Sequence, residues 1–358
     1  MRILLAHPGS DSSTCDLYTG VLGALERQGH EVIQYAMDRR IESFGAWLNW
    51  QWKRNKKKVA KPNYLDAAYL AGVGIIEKAL HFDVDWVVFI SGLWMHPTFL
   101  AMLRRAHVKM AILFTESPYD DEVQLEWATF ADVCWVNDRV SLERFRTVNR
   151  QTYYWQHAID PARHHVQEES EEPDIKAHDV VFVGTGWEER VKLFEQVNWE
   201  GIDLGLYGYW ELAGKDSPLR PHIHEAVVPN NVTAALYREA KIGINLHRSS
   251  VGYGKDTDKI TVQPYSLGPR CYELAACGTF YISDWRPELA AVFGEAVPTF
   301  TNAQELETQI RYYLAHPDER TASAAELPSL VARHTFDTRV IDAIEILERQ
   351  GDNNALSR

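Results

Sequence analysis

No uninterrupted apolar run in this sequence reaches the ~18 residues that a bilayer span needs, and the opening MRILLAHPGS lacks the apolar core of a secretory leader. These absences lead us to expect a cytoplasmic protein with no membrane span. Cysteine is scarce: Cys15, Cys134, Cys271 and Cys277 are scattered without a C-x-x-C pair. That argues against a zinc ribbon, a thioredoxin-like site or a disulfide framework, and all four read as small buried hydrophobes. The G-x-G-x-x-G turn of a dinucleotide-binding domain is missing after the first apolar run, so an NAD-dependent dehydrogenase loses its main support. No internal repeat is visible.

What is there is an ordinary globular composition of 358 residues, 46% hydrophobic and 24% charged. At roughly 150 residues per domain this suits two domains and excludes a disordered or fibrous chain. Acidic residues outnumber basic ones by 50 to 37, for a net charge of −13, which averaged over the surface repels nucleic acid and anionic membrane. One segment reverses the balance. Between Glu42 and Asp66 there is no acid, while Lys53, Arg54, Lys56, Lys57, Lys58 and Lys61 stand among Trp47, Trp50, Trp52 and Tyr64. Phosphate-contacting cations interleaved with aromatic platforms are the equipment of nucleic-acid grooves, so Lys56, Lys57, Lys58, Trp50 and Trp52 are candidate acceptor-binding residues. A disordered, solvated loop whose tryptophans pack on the domain accounts for the same composition, because surface cations commonly serve solubility.

Short β-branched runs alternate with amphipathic stretches. RILLA, EVIQYA, DWVVFIS, VKMAILF, DVCWV and TYYWQ read as buried parallel strands, with a helical pattern at Leu17 to Gln28 after the first. An acid-rich stretch around Glu168 to Pro173 follows and reads as a linker. The pattern then restarts with DVVFVG, IDLGLYG, KIGINL and TFYIS, and helices are expected at Glu188 to Val197, Asn231 to Ala240, Arg270 to Cys277 and Ala303 to Ala315. The expected architecture is α/β, two Rossmann-like domains in tandem. Their bounds are 1–166, a linker at 167–176, 177–333, and a terminal amphipathic helix within 334–350 carrying Val340, Ile341, Ile344 and Leu347 on one face.

Three motifs carry chemistry. The first strand runs into HPGSDSST, where Gly9 admits a close ligand and the following helix N-terminus offers N–H groups to an anion; a Gly/Ser turn with Ser12 or Ser13 as cap is the plain alternative. VFVGTGWEERVK places Gly184 and Gly186 at a strand end and Arg190 and Lys192 in the next helix, which suits a pyrophosphate, although a solvated helix face explains the two cations equally well. In SLGPRCYELAACGTFYISDWRPELAAVF, a helix with Arg270 and Glu273 is stopped by Gly278 ahead of a buried strand. A carboxylate so placed can accept hydrogen bonds from both ribose hydroxyls of a nucleotide.

The block R-C-Y-E-L-A-A-C-G-T-F, with D-W-R-P-E-L after it, resembles the donor-nucleotide motif of GT-B glycosyltransferases, in particular the CgeB-like branch of the group-1 (family-4-like) enzymes. The resemblance extends to VFVGTGWEER, to INLHRSS and to HTFDTRVIDAIEIL, a helix that in that fold crosses back to the N-terminal domain. FTESPYDDE, ADVCWVND and HAIDPARH also resemble glycosyltransferases carried by actinobacterial phages, which would place the chain in a host cytoplasm. The resemblance implies a nucleotide-sugar donor, UDP-sugar first, and no essential metal or other cofactor. Glu273 would bind the ribose, Arg190 with Lys192 or Arg270 the diphosphate, and Gly9 with Ser10 would close on it. Asn245 and His247 would complete the donor site. The E-x7-E motif of retaining enzymes is broken here, since Tyr265 stands eight residues before Glu273.

His96 follows DWVVFIS, and Glu116, Asp120 and Asp121 follow VKMAILF, all at strand ends where open α/β sheets bind ligands. Related enzymes suggest that His96 faces the transferred sugar; a helix-capping histidine is the alternative. Glu116 or Asp120 would serve as base or orienting acid toward an acceptor hydroxyl. Asp256-Thr257-Asp258 has the spacing of a metal site but reads as a polar loop. The acceptor expected is macromolecular, a hydroxymethylated DNA base or a virion protein, with the oligomeric state open. A sugar-nucleotide epimerase on the same fold and a non-catalytic DNA-binding accessory module are the competing readings.

Overall fold

The computed structural model describes residues 1–9, 14–55, 58, 60–91, 94–166, 175–224, 228–249 and 262–355, with side chains as far as residue 350. It divides into two compact units, Met1–Gln156 with Phe336–Arg358, and His157–Thr335. The division falls at Gln156 rather than 166, because Ile159 bridges to Thr335 and His164 is buried within the second unit. Residues 167–174 of the expected linker lie outside the described residues.

The first unit runs β1 (Arg2–His7), α1 (Cys15–Arg27), β2 (Glu31–Ala36), α2 (Asp38–Arg54), α3 (Tyr64–His81), β3 (Trp86–Ile90), α4 (Pro97–Arg105), β4 (Met110–Phe114), α5 (Asp121–Ala128), β5 (Val133–Val136), α6 (Leu142–Arg146) and β6 (Thr152–Tyr154). The second runs β7 (Val180–Val183), α7 (Glu188–Glu195), β8 (Leu204–Tyr207), α8 (Asn230–Glu239), β9 (Ile242–Asn245), α9 (Pro269–Ala276), β10 (Tyr281–Asp284), α10 (Pro287–Phe293), β11 (Thr299–Phe300), α11 (Ala303–Ala315) and α12 (Pro317–Val331). Then α13 (Phe336–Ala355) returns to the first unit, as the resemblance implied.

Both sheets are parallel, in the orders β2-β1-β3-β4-β5-β6 and β11-β10-β9-β7-β8. Every residue of β3 and β4 is buried, as befits strands covered on both faces. A period of two sorts their side chains. Leu4, Val87, Phe89, Ile112 and Phe114 enter one core with Ile75 and Phe99, while Ile3, Val88, Ile90, Leu113 and Trp135 turn toward α1 and α13. There α13 fits closely: Phe336 fills the space beside Gly20, where a methyl would sit 2.1 Å from its ring, and Arg27 grips Asp337 at 2.8 and 2.7 Å. An apolar void of about 30 Å³ is left between helix and sheet.

All ten expected strands are present. The two-residue β11 is too short to show periodicity, and it pairs only with β10. Of the two readings of the Lys/Trp segment, the loop is corrected for its tryptophans: Trp47, Trp50 and Trp52 lie on the 17-residue α2. Cys15 is half-exposed, whereas the other three cysteines are buried. Each sheet reverses its strand order once, between β1 and β3 and between β7 and β9. At such a switch point, outside the carboxyl ends of the strands, open α/β sheets bind their ligands.

Candidate donor-binding site

At the second switch point β7 ends in Gly184-Thr185-Gly186 and β9 in Asn245-Leu246-His247. Gly184 has φ +154° and its N–H donates to Tyr207 O at 2.8 Å; the Gly186 N–H donates to Tyr209 O at 2.7 Å. A methyl on Gly184 would lie 2.3 Å from Nη2 of Arg270, and one on Gly186 2.4 Å from the Trp210 ring. The two glycines are thus the room into which a guanidinium and an indole fit.

The three candidate cations part company here. Arg270, in the first turn of α9, donates from Nε to Val183 O at 2.7 Å and from Nη1 to Asn245 Oδ1 at 3.2 Å, with its guanidinium 4.4 Å from the centre of the Phe182 ring. It is half-buried, braced on one edge with Nη2 toward Gly184. Arg190, on α7, is buried and donates to Thr185 O and Leu246 O at 2.7 Å each, so it staples the two loops flanking the switch point. Lys192 pairs with Glu188 one turn earlier on an exposed face.

Glu273 lies one turn beyond Arg270 on α9 and is buried. That helix starts at Gly268, which has no side chain to cap it, and its first turn carries the positive end of the helix dipole. His247 is buried. Its Nδ1–H donates to Asp284 Oδ1 at 2.7 Å and its main-chain N–H to the same oxygen at 2.9 Å. Burial holds the imidazole below its usual range, hence neutral. Burial alone would lift Asp284, but His247 and Arg286 hold its carboxyl below the ordinary range. Asn245 donates to Ser283 Oγ at 2.9 Å.

The D-W-R-P-E-L motif anchors the segment that leads into α9. Arg286 donates to Arg248 O at 3.0 Å and Pro264 O at 3.4 Å, and Glu288 accepts from Leu267 N at 2.8 Å and Tyr272 OH at 3.3 Å. The sequence reading used these residues as markers and missed that role, whose signal was an acid and an arginine flanking a proline at a helix start.

In the first unit, His7 ends β1 at the other switch point. It is 2% exposed, stacks on Tyr18 with ring centres 3.6 Å apart, and its Nδ1 has no hydrogen-bond partner among the described residues. Burial pushes its pKa down to about 4. Sequence reasoning passed over it. Gly9 packs against the Asp38 carboxylate, where a methyl would lie 1.9 Å from Oδ2. His96 accepts from Thr98 N at 3.2 Å, the capping arrangement for α4. Glu116 is buried just past β4, and Asp120 occupies the N-cap position of α5. Asp121 is buried, accepts from Ser141 Oγ at 2.6 Å, and has its carboxyl raised by burial. Trp50 is 52% exposed with the Arg54 guanidinium 5.2 Å away, and Trp52 is half-buried with the Lys61 ammonium at 5.9 Å. Lys58 is exposed. Ser10, Lys56, Lys57, Asp256 and Asp258 lie outside the described residues. Among those described, no group of three or more His, Cys, Asp or Glu is arranged to hold a metal ion, and no helix is long and apolar enough to cross a membrane.

Residues 173–345 match a family model described as glycosyl transferase-like. A search of curated proteins found no matching sequence. Among solved structures the chain is similar over its whole length to sucrose-phosphate synthase from Thermosynechococcus elongatus, with TM-score 0.66, 13% identity, and 97% of this chain and 98% of that one covered. It is also similar to the E. coli trehalose-6-phosphate protein bound with UDP-2-fluoro glucose, with TM-score 0.59, 12% identity and coverages of 97% and 99%. A third is an alpha-glucosyltransferase in complex with UDP and a 13-mer DNA containing an HMU base, with TM-score 0.58, 11% identity and coverages of 97% and 99%. The two parallel α/β units have the GT-B architecture.

Proposed function

We propose that the chain is a glycosyltransferase that moves a sugar, a hexose first, from a UDP-sugar to a hydroxyl of a macromolecular acceptor. One observation carries this: at the β7/β9 switch point Arg270 is braced beside Gly184, and Glu273 stands one turn further along the same uncapped helix. A diphosphate placed there meets a guanidinium and the positive end of α9, and the ribose hydroxyls meet the Glu273 carboxylate. As the glycosidic bond breaks, charge grows on the departing diphosphate, and these groups are already oriented toward it. Arg190 supports the loops from beneath. His96, Glu116 and Asp120 are the acceptor-side candidates, with Gly9 and Ser10 on the donor loop of the first unit. The phage-like motifs make a hydroxymethylated DNA base or a virion protein the acceptor, met through Trp50, Trp52 and Lys56 to Lys58.

Calorimetric titration with UDP tests the site. Glu273→Ala is expected to weaken UDP by about 5- to 150-fold, the cost of ~1–3 kcal/mol for buried hydroxyls deprived of their acceptor; unchanged affinity would remove the ribose assignment. Incubation with UDP-, GDP- and TDP-sugars tests the activity. Slow donor hydrolysis without acceptor supports transfer, interconversion of sugars points to an epimerase, and silence with salt-sensitive DNA binding points to an accessory module.

A further inference from the structure

The surface that departs furthest from an ordinary globular exterior is the outward side of α2. A helix on a domain surface turns its apolar stripe inward and its polar residues to water, yet none of the 17 residues of α2 is fully buried. Its exposed stripe is Arg39, Glu42, Ser43, Ala46, Trp47, Trp50, Lys53 and Arg54. Trp47 and Trp50 expose 51% and 52% of their surface, and Tyr64 at the start of α3 exposes 53%. Three residues apart on a helix, the two indoles are side-by-side neighbours. Around them stand Lys53, Arg54, Lys58 and Lys61, for which no carboxylate partner is found among the described residues, in a stretch without a single acid from 43 to 65.

We propose that this face binds single-stranded nucleic acid, with Trp47 and Trp50 as stacking platforms for bases and Lys53, Arg54, Lys58 and Lys61 as phosphate contacts. A cluster of cations without an acid among them, on a chain of net charge −13, is complementary to a polyanion. The arrangement decides among polyanions. An interfacial helix lays a continuous apolar face of Trp, Phe and Leu into the bilayer with its cations on the opposite face, whereas the outward stripe of α2 mixes its two indoles with Glu42, Ser43, Lys53 and Arg54, with Arg54 at 5.2 Å from Trp50, and Leu65 is the one large exposed aliphatic beside them among the described residues. A duplex keeps its base faces stacked away, so exposed rings gain only from unpaired or flipped bases. Trp52 is half-buried and presents less of its ring than Trp47, which makes Trp47 the wider platform beside Trp50. As an acceptor surface this rests on the transferase reading; as a binding surface it does not.

The test uses the full chain with no sugar donor: fluorescence anisotropy of a labelled single-stranded oligonucleotide, its duplex, and co-sedimentation with phosphatidylglycerol vesicles. The single strand is expected to bind more tightly than the duplex. Trp47→Ala with Trp50→Ala is expected to weaken it at least tenfold, with Trp47→Phe and Trp50→Phe restoring most of the loss. Lys53→Gln with Arg54→Gln is expected to flatten the log-affinity against log-salt slope by about 1.4, at ~0.7 per lost contact. All these side chains are exposed, so unchanged melting temperatures verify the fold. Equal affinity across the variants, or binding to vesicles and not to the oligonucleotide, overturns the proposal. Donor turnover without strand binding refutes this face alone, and strand binding without turnover refutes the transferase reading alone.

Discussion

Arg190→Ala separates two roles that the sequence could not tell apart. Both terminal nitrogens of Arg190 are engaged at 2.7 Å with main-chain carbonyls, one after β7 and one after β9, and the side chain is buried. Removing it leaves two carbonyls short of a charged donor, each worth about 1.5–3 kcal/mol. Partial relaxation and entry of water reduce the sum to about 3 kcal/mol. For a domain of this size each kcal/mol shifts the melting point by ~2–4 °C, so the second unit should melt ~6–12 °C lower. UDP affinity should fall only because the loops loosen, and Arg190→Lys, which can reach one carbonyl, should sit between. Calorimetric melting paired with UDP titration well below the transition measures both. A variant that melts like the wild type while losing tenfold or more in UDP affinity would show that the guanidinium faces the ligand, and the staple would be refuted.

Two further predictions concern packing and pH. Gly186→Ala would drive a methyl to within 2.4 Å of Trp210, an indole wedged edge-on against Phe182 and Phe194; overpacking of about 1–3 kcal/mol should appear as a lower urea midpoint, and an unchanged midpoint would mean that the ring is free to move. His7 has its pKa lowered to about 4 in the folded chain against ~6.5 unfolded. Between those values the unfolded chain binds a proton that the folded chain refuses, so the His7 share of stability is complete above pH 6.5. It is lost as pH falls toward 4, by ~3 kcal/mol in all. His7→Phe, which keeps a ring against Tyr18, should flatten that part of the profile in urea titrations at pH 7 and 4.5; an identical pH slope would exonerate His7.

The fold was legible because its strands are buried on both faces. WVVFI, MAILF and VCWV could not have been anything but core, and the helix between Ala303 and Ala315 matches its expected ends residue for residue. What escaped was structure whose periodicity is faint. α12 holds Pro328 and buries only Leu327 and Val331, so it shows no apolar stripe of the usual width, and α2 turns Ile41 and Phe44 to the core while its tryptophans and cations blur the pattern. At the site, residue types were legible and their bonding was not. Arg190 and Arg270 are both arginines beside a glycine pair; only the fold shows that one spends its donors on carbonyls while the other keeps an edge toward Gly184. His96 turned out to hold the capping geometry that the sequence offered as its plainer role.

The sign of charge at the two switch points bears on which unit would take which substrate. In the second unit the strand ends gather Arg190, Arg270 and the N-terminus of α9, with Glu273 one turn further along that helix and Asp284 hydrogen-bonded by His247. In the first unit the strand ends gather Glu116, Asp120 and Asp121 with His7 and His96, and no arginine or lysine occurs between Lys109 and Arg139. A diphosphate is stabilised at the first of these sets and repelled by the second. A hydroxyl that must lose its proton is served by the reverse: carboxylates and neutral imidazoles can accept the proton, whereas guanidinium groups cannot. Asp121 is engaged by Ser141 with its carboxyl raised by burial, and Glu116 and Asp120 flank it at the same strand end. On the proposed activity the donor therefore belongs to the second unit and the acceptor to the first, on electrostatic grounds that use no likeness to any other protein.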